Sequence, residues 1–256
     1  MNKIGLMRRM QAIHTSLLPD KFSTKKLFKK KNSTSITEIV KELSGVELMS
    51  RNITHDYLLY CTPLIAPSIV IVGGYTGAIL KNFYDFGVRP RKIIIFEPVP
   101  EFYLELKGMQ QFWENQFQIK IEIICKALFI SSQPMKLLQS GDRSTMTFTE
   151  RKVAKFPEYK GEIEVECFDV EDLNTLLNDS VSFYFNCEGA EYIILDKLLK
   201  ISKNFVVKTF FIQTHKIGGS PYASLYNMRK LLLNDFHPIV TFDWAWDIWI
   251  SKKELG

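Results

Sequence analysis

An apolar run that breaks into a glycine-rich turn, followed one helix later by a second apolar run ending in a carboxylate, restricts this chain to few folds. The runs are Ile69-Val70-Ile71-Val72-Gly73-Gly74-Tyr75-Thr76-Gly77 and Ile93-Ile94-Ile95-Phe96-Glu97-Pro98. This is how a parallel α/β sheet builds a nucleotide-type pocket. Small residues stand where the backbone passes close to a ligand, and the acid ending the next strand can accept from ribose hydroxyls. Glu97 lies twenty residues after Gly77, which suits one strand–helix–strand unit. The pair predicts a site for a ribose-bearing cofactor.

What the turn lacks narrows the choice. A dinucleotide fingerprint, G-x-G-x-x-G, needs its second glycine so that the backbone can approach a pyrophosphate. Here that position is Tyr75 and the pattern is G-G-x-x-G. A bulky side chain is poor for pyrophosphate, which disfavours a nicotinamide-dependent oxidoreductase. It is tolerable for a cofactor without pyrophosphate, such as S-adenosylmethionine. The phosphate loop ending in Gly-Lys-Ser/Thr is absent.

A chain of 256 residues that is 46% hydrophobic and 24% charged can bury a sizeable core without disulfides. Cys61, Cys125, Cys167 and Cys187 show no C-x-x-C spacing, and His14, His55, His215 and His237 are scattered. The expectation is free thiols in a reducing cytosol and no metal. No apolar run reaches membrane-spanning length. The net charge of +5 is concentrated at the start, where residues 1–31 hold nine lysines and arginines against Asp20 alone. Such an arm reads as a solvated extension, 1–35, that could meet an anionic membrane surface, placing the protein in the cytoplasm or at the inner face of a membrane. Nucleic-acid binding is not expected, because few aromatics interleave the basic run and the rest of the chain has no basic excess.

The order of elements fixes the fold class. Residues 36–66 read as a helical extension through Ile36, Ile39, Val40 and Leu43, broken by Pro63 and Pro67. From 67 to 256 strands and helices alternate: strands at 68–73, 92–97, 119–125, 181–187 and 204–213, and helices at 77–86, 100–114, 170–178, 189–200 and 222–234. The middle differs, with short β-like pieces at 126–130, 134–139 and 161–168 around the polar stretch Gly141-Asp142-Arg143-Ser144-Thr145. Two last strands near 237–243 and 246–251 are joined by too short a turn to be parallel. The expected fold is a Rossmann-like, mostly parallel seven-stranded sheet with an antiparallel last strand, the layout of class I methyltransferases.

A second constellation closes one strand and opens a helix: Phe183-Tyr184-Phe185-Asn186-Cys187-Glu188-Gly189-Ala190-Glu191. Glu191 near a helix N-terminus is favoured by the helix dipole. Glu188 stands at the strand's carboxyl end, the edge where ligands sit in open α/β sheets. His215, in Gln213-Thr214-His215, reaches the same edge and is a candidate general base or acceptor-orienting group.

Together with Phe96-Glu97-Pro98, Lys126-Ala127-Leu128 and Phe168-Asp169-Val170-Glu171-Asp172-Leu173, these pieces resemble the FkbM family of S-adenosylmethionine-dependent methyltransferases. The resemblance covers about residues 68–252. It implies O-methylation of a hydroxyl, often on a sugar of a glycan, lipid or natural product. On this reading Val72, Gly73, Gly74, Tyr75, Thr76, Gly77, Glu97, Pro98 and Ala127 bind the cofactor. His215 or Glu188 takes the hydroxyl proton, with Asn186 and Glu191 orienting, and a loop over 140–160 carrying Asp142, Arg143, Ser144 and Thr145 covers the acceptor. The N-terminal helical region, outside the matched fold, is a candidate surface for a homodimer.

Three acids of the family pattern are replaced, by Ile71 before the turn, Asn186 after the strand and Gln213 before the histidine. Loss of the first weakens the cofactor's methionine or solvent network, and loss of the other two removes negative charge that could bind a divalent metal or raise a base's pKa. The competing reading is a weakened or non-catalytic binding protein on the same fold.

Overall fold

The computed structural model describes residues 65–85, 87–140, 143–146, 159–201, 205–215, 221–241 and 246–254. The basic arm, the helical extension through residue 64, Cys61, Asp142 and the turn at Trp244-Ala245 lie outside them.

Seven strands form the central sheet: β1 (Ser68–Val72), β2 (Lys92–Phe96), β3 (Ile121–Ile124), β9 (Val181–Phe185), β10 (Val207–Gln213), β11 (Phe236–Thr241) and β12 (Trp246–Ser251). Their order is β11-β12-β10-β9-β1-β2-β3. All pairs from β3 to β10 are parallel, and β12 runs antiparallel to both β10 and β11. The expected sheet, with one reversed strand, is therefore the one observed. Period-two alternation sorts the side chains into two cores. Ile69, Ile71, Ile93 and Ile95 pack on one face, and Val70, Val72, Ile94 and Phe96 on the other. Burial of each such side chain contributes about 1.5–3 kcal/mol, which is why β1 and β9 tolerate no exposed position.

Helix α1 (Ala78–Asp85) buries Ile79, Leu80 and Phe83, and α2 (Pro100–Phe117) buries Leu106, Trp113 and Phe117, all on the first core. Pro100 opens α2 because its fixed φ suits a first turn that needs no amide donor. The helix runs one turn past Trp113, since Phe117 still has core to bury, and closes on a left-handed Gln118. Helices α3 (Glu191–Ile201) and α4 (Pro221–Leu232) cover the second core through Ile194, Leu195, Leu198, Leu225, Met228 and Leu232.

The crossover from β3 to β9 is built of strands. β4 (Ala127–Phe129) pairs in parallel with β8 (Cys167–Asp169), and β5 (Met135–Ser140) is the centre of an antiparallel sheet between β6 (Arg143–Met146) and β7 (Tyr159–Val165). Part of the expected 140–160 loop is thus strand: β6 completes the open edge of β5. The helix expected at 170–178 is a 3-10 turn over Val170–Thr175. Asp169 caps it by accepting from the Glu171 amide at 2.9 Å, and Asn174 and Thr175 are poor helix formers at its end. Lys197 of α3 ties this insertion down, donating to Asp169 at 2.9 Å and to the Ile130 carbonyl at 2.8 Å. No helix among the described residues is long and apolar enough to cross a membrane.

The chain leaves β1 toward β2 and β3 on one side, then returns to β9 and β10 on the other. The switch point lies at the carboxyl ends of β1 and β9, where such sheets open a crevice.

Candidate functional site at the sheet switch point

The turn after β1 is squeezed by its neighbours. The Gly73 amide donates to the Phe96 carbonyl at 2.9 Å, and the Asn186 amide donates to the Val72 carbonyl at 2.9 Å. Gly73 has φ +86°, and a Cβ there would lie 2.0 Å from the Asn186 carbonyl oxygen. A Cβ at Gly74 would meet Ile95 at 2.4 Å. Protein packing demands these small residues, a reason independent of ligand approach.

Glu97 ends β2 at 4% exposure and joins the two loops. Its Oε2 accepts from the Tyr75 amide at 2.7 Å and its Oε1 from the Val99 amide at 2.9 Å. Burial pushes its carboxyl above the usual range, against the opposing pull of the Val99, Tyr75 and Gly74 amides. With three amides on its two oxygens, the carboxylate keeps acceptor capacity for one further donor from a ligand.

Across the crevice, Asn186, Cys187 and Glu188 carry the chain from β9 into α3. Glu188 is left-handed at φ +49° and followed by Gly189 at +110°, a bend that turns the strand end back over the sheet. Glu191 opens α3 fully buried. Its Oε2 accepts from the Gly189 amide at 2.8 Å and lies 3.5 Å from the Cys187 sulfur. Its Oε1 accepts from the His215 amide at 3.0 Å and meets His215 Nδ1 at 3.1 Å. On the other side of the ring, His215 Nε2 is 3.3 Å from Glu188 Oε1, an ion-pair contact. Tyr192 donates to the His215 carbonyl at 2.8 Å.

Burial pulls the His215 pKa down, but the two carboxylates outweigh it and raise the imidazole to about 10. The ring is therefore an imidazolium at neutral pH, held between two acids. Burial, reinforced by the charges of Glu191 and Glu188, pushes the Cys187 thiol well above its ordinary value, so it is protonated and can donate to Glu191.

A cavity of about 210 Å³ spans this crevice. Of the residues singled out from sequence, Val72, Gly73, Tyr75, Glu97, Pro98, Ala127, Asn186 and Glu188 line it. Gly74, Thr76 and Gly77 are outside its lining, and Glu191 and His215 stand behind Glu188. The backbone of Arg143, Ser144 and Thr145 forms β6, the strand beside β5. Phe102, Phe129, Met135 and Leu137 line the cavity without having been singled out. The alternation Met135-x-Leu137, two apolar residues on one face of a strand, was the available signal. Asn186 Oδ1 is buried with no hydrogen-bond partner among the described residues, and Asn186 belongs to the cavity wall. Ile71, where an acid was expected, is buried in the core beneath α1 and α2.

No group of three or more His, Cys, Asp or Glu among the described residues is arranged to hold a metal ion. A cavity of mixed polar and apolar lining, with Glu97 at one wall and the Asn186 side-chain carbonyl at the other, fits a ligand that is part apolar and rich in donors, as an adenosine derivative is.

No protein-family model matches the chain, and no curated protein does. Among solved structures, the methyltransferase FkbM from Methylobacillus flagellatus KT is similar at 12% identity and a TM-score of 0.50, covering 97% of this chain and 60% of its own. A methyltransferase from Geobacter sulfurreducens aligns over 95% of this chain and 96% of its own, at 10% identity and a TM-score of 0.42. An rRNA methylase from Streptococcus thermophilus covers 80% and 99%, at 10% identity and 0.41. At 12% identity the likeness to the Methylobacillus flagellatus structure is one of fold alone, and it agrees with the strand order above: this chain has the Rossmann-like fold of that methyltransferase.

Proposed function

We propose that the protein is an S-adenosylmethionine-dependent O-methyltransferase whose acceptor is a hydroxyl, in a saccharide-containing molecule. The observation that carries this reading is one cavity with Glu97 on one wall and Asn186 and Glu188, backed by His215 and Glu191, on the other. Glu97 would accept from the ribose hydroxyls, the Gly73–Gly77 turn would pass under the methionine portion, and Ala127 with Leu128 would bound the adenine. The cofactor supplies an electrophilic methyl on a sulfonium.

The protein's share is alignment and proton removal. An alcohol is a weak nucleophile, and its proton must leave as the new bond forms. His215 already carries its proton at neutral pH, so the base is Glu188, the carboxylate that reaches the cavity. His215 and Glu191 then act behind it, holding its orientation. The Asn186 carbonyl oxygen, which can only accept, orients the acceptor through a second donor group, since the reacting hydroxyl's one proton goes to Glu188. The saccharide identity rests on the family resemblance, and the apolar wall of Met135, Leu137 and Phe129 is compatible with a lipid-linked or natural-product acceptor.

Calorimetry with S-adenosylmethionine and S-adenosylhomocysteine tests the cofactor, and transfer of labelled methyl to a panel of glycolipids and glycosides tests the reaction. Both cofactor forms should bind, and Glu188→Gln should abolish transfer while sparing their affinity. Absence of binding at millimolar cofactor would establish the non-catalytic alternative.

A further inference from the structure

Three non-glycine residues among those described have a left-handed backbone: Tyr75 at φ +46°, Gln118 at +58° and Glu188 at +49°. Gln118 closes α2, where that conformation is the ordinary way to end a helix. The other two both line the cavity, at the ends of the adjacent strands β1 and β9. Large side chains rarely sit in this region, because the Cβ crowds the following carbonyl. Glycine would meet the geometry at Tyr75 without strain, and it already occupies the two preceding positions. The turn alone does not explain the ring.

Its surroundings do. Tyr75 is 39% exposed, so its ring is not held by the core. Among the described residues it meets one aromatic partner, Phe102, edge to face, with centroids 4.6 Å apart at 71°. Phe102 comes from the first turn of α2 and lines the same cavity. The Tyr75 amide is bonded to Glu97 Oε2 at 2.7 Å, which fixes the ring's base to the carboxylate placed for ribose. Two rings at a cavity mouth, braced against each other and anchored to its acid, are pre-organised to cover a flat apolar ligand, so little ordering remains at binding.

We propose that Tyr75 and Phe102 form an aromatic lip covering the nucleoside half of the bound cofactor, above the ribose site that Glu97 defines. This rests on the S-adenosylmethionine reading above. The lip makes strain at Tyr75 functional: the backbone is held in an unfavourable region because the side chain acts on the ligand.

The test uses the full chain and its Tyr75→Gly and Phe102→Ala variants, titrated calorimetrically with S-adenosylmethionine and with S-adenosylhomocysteine, alongside melting of the ligand-free proteins. Each variant should lose about tenfold in affinity, the scale of one lost base–aromatic contact. The loss should be equal for the two ligands, which share the nucleoside. Tyr75→Gly should melt no lower than the parent, because relief of the strained backbone offsets the lost ring contact. Unchanged affinity in Tyr75→Gly would overturn the lip. So would a loss confined to the sulfonium form, which would place the rings on the charge, or a loss in both variants matched by lower melting. Failure of the parent chain to bind either ligand defeats the cofactor reading instead.

Discussion

One carboxylate oxygen of Glu191 receives both the backbone amide of His215, at 3.0 Å, and its ring Nδ1, at 3.1 Å. The two residues come from different strand–helix connections, and this contact locks the ends of β9 and β10 together. A buried acid meeting four donors leaves a large deficit when it is changed. Glu191→Gln should lower stability by about 3 kcal/mol in urea denaturation and bring the His215 pKa down from about 10 toward its ordinary 6.5. An unmoved His215 titration by NMR would count against the pairing.

The same ion pairs set a pH dependence. The folded pKa of His215 is raised above its unfolded value, so its stabilisation is fully present below about pH 6.5 and is lost as pH climbs through about 10. The melting temperature of the parent should therefore fall between pH 7 and pH 10 more steeply than that of His215→Gln. Parallel curves would show that the ring is not held as an imidazolium.

Glu97 should show the opposite sign for folding and for binding. Burial raises its folded pKa above 4.5, against the amides that bond it. Acidification through that raised value thus favours the folded ligand-free protein, while protonation removes an acceptor from the ribose site. Calorimetry at stepwise lower pH, from neutral toward 4.5, should show S-adenosylmethionine affinity falling as ligand-free stability, relative to Glu97→Gln, rises. Affinity flat over that range would separate Glu97 from the ligand.

Two glycine substitutions should act in opposite directions. Gly73→Ala places a Cβ 2.0 Å from the Asn186 carbonyl oxygen at φ +86°, and should cost more than about 3 kcal/mol. Gly108 is exposed within α2, with nothing near its added Cβ, so Gly108→Ala should stabilise by up to about 1 kcal/mol. Thermal melts of both variants check the contrast.

Arg229 of α4 forks onto the fully buried Asp247 of β12 at 2.8 Å from both Nε and Nη2, with the Trp249 indole 3.3 Å away. Removing the arginine strands the buried Asp247 carboxylate, so Arg229→Ala should lose about 3–5 kcal/mol. Replacing both by apolar residues should recover most of that loss, because the pair's own desolvation cost disappears with it. Denaturation of the single and paired variants distinguishes the two outcomes.

Much of the sheet was legible in the chain. Runs such as Ile69–Val72 and Phe183–Phe185 are apolar at every position because both faces are buried, and burial on both faces leaves no other pattern. The short turn between the last strands dictated the reversed β12. The 170–178 helix was misread because Val170, Leu173 and Leu177 have helical spacing, whereas the cap at Asp169 and the polar end permit only a 3-10 turn. The acceptor-side segment reads as loop because β6 is polar at three of its four positions, Arg143, Ser144 and Thr145, although it pairs with β5 as a hairpin across only two residues.

The sequence by itself determined the strand–helix alternation, the glycine turn, and the acids standing at the carboxyl ends of β2 and β9, because these follow from periodicity and turn chemistry within one segment. Only the tertiary structure decided what those residues do. It gave the glycines to packing against Asn186 and Ile95, tied Glu97 to the Tyr75 amide, and enclosed His215 between Glu188 and Glu191. Those relationships join residues more than twenty positions apart, and a pKa or a close contact depends on distance in space, which a linear pattern does not contain.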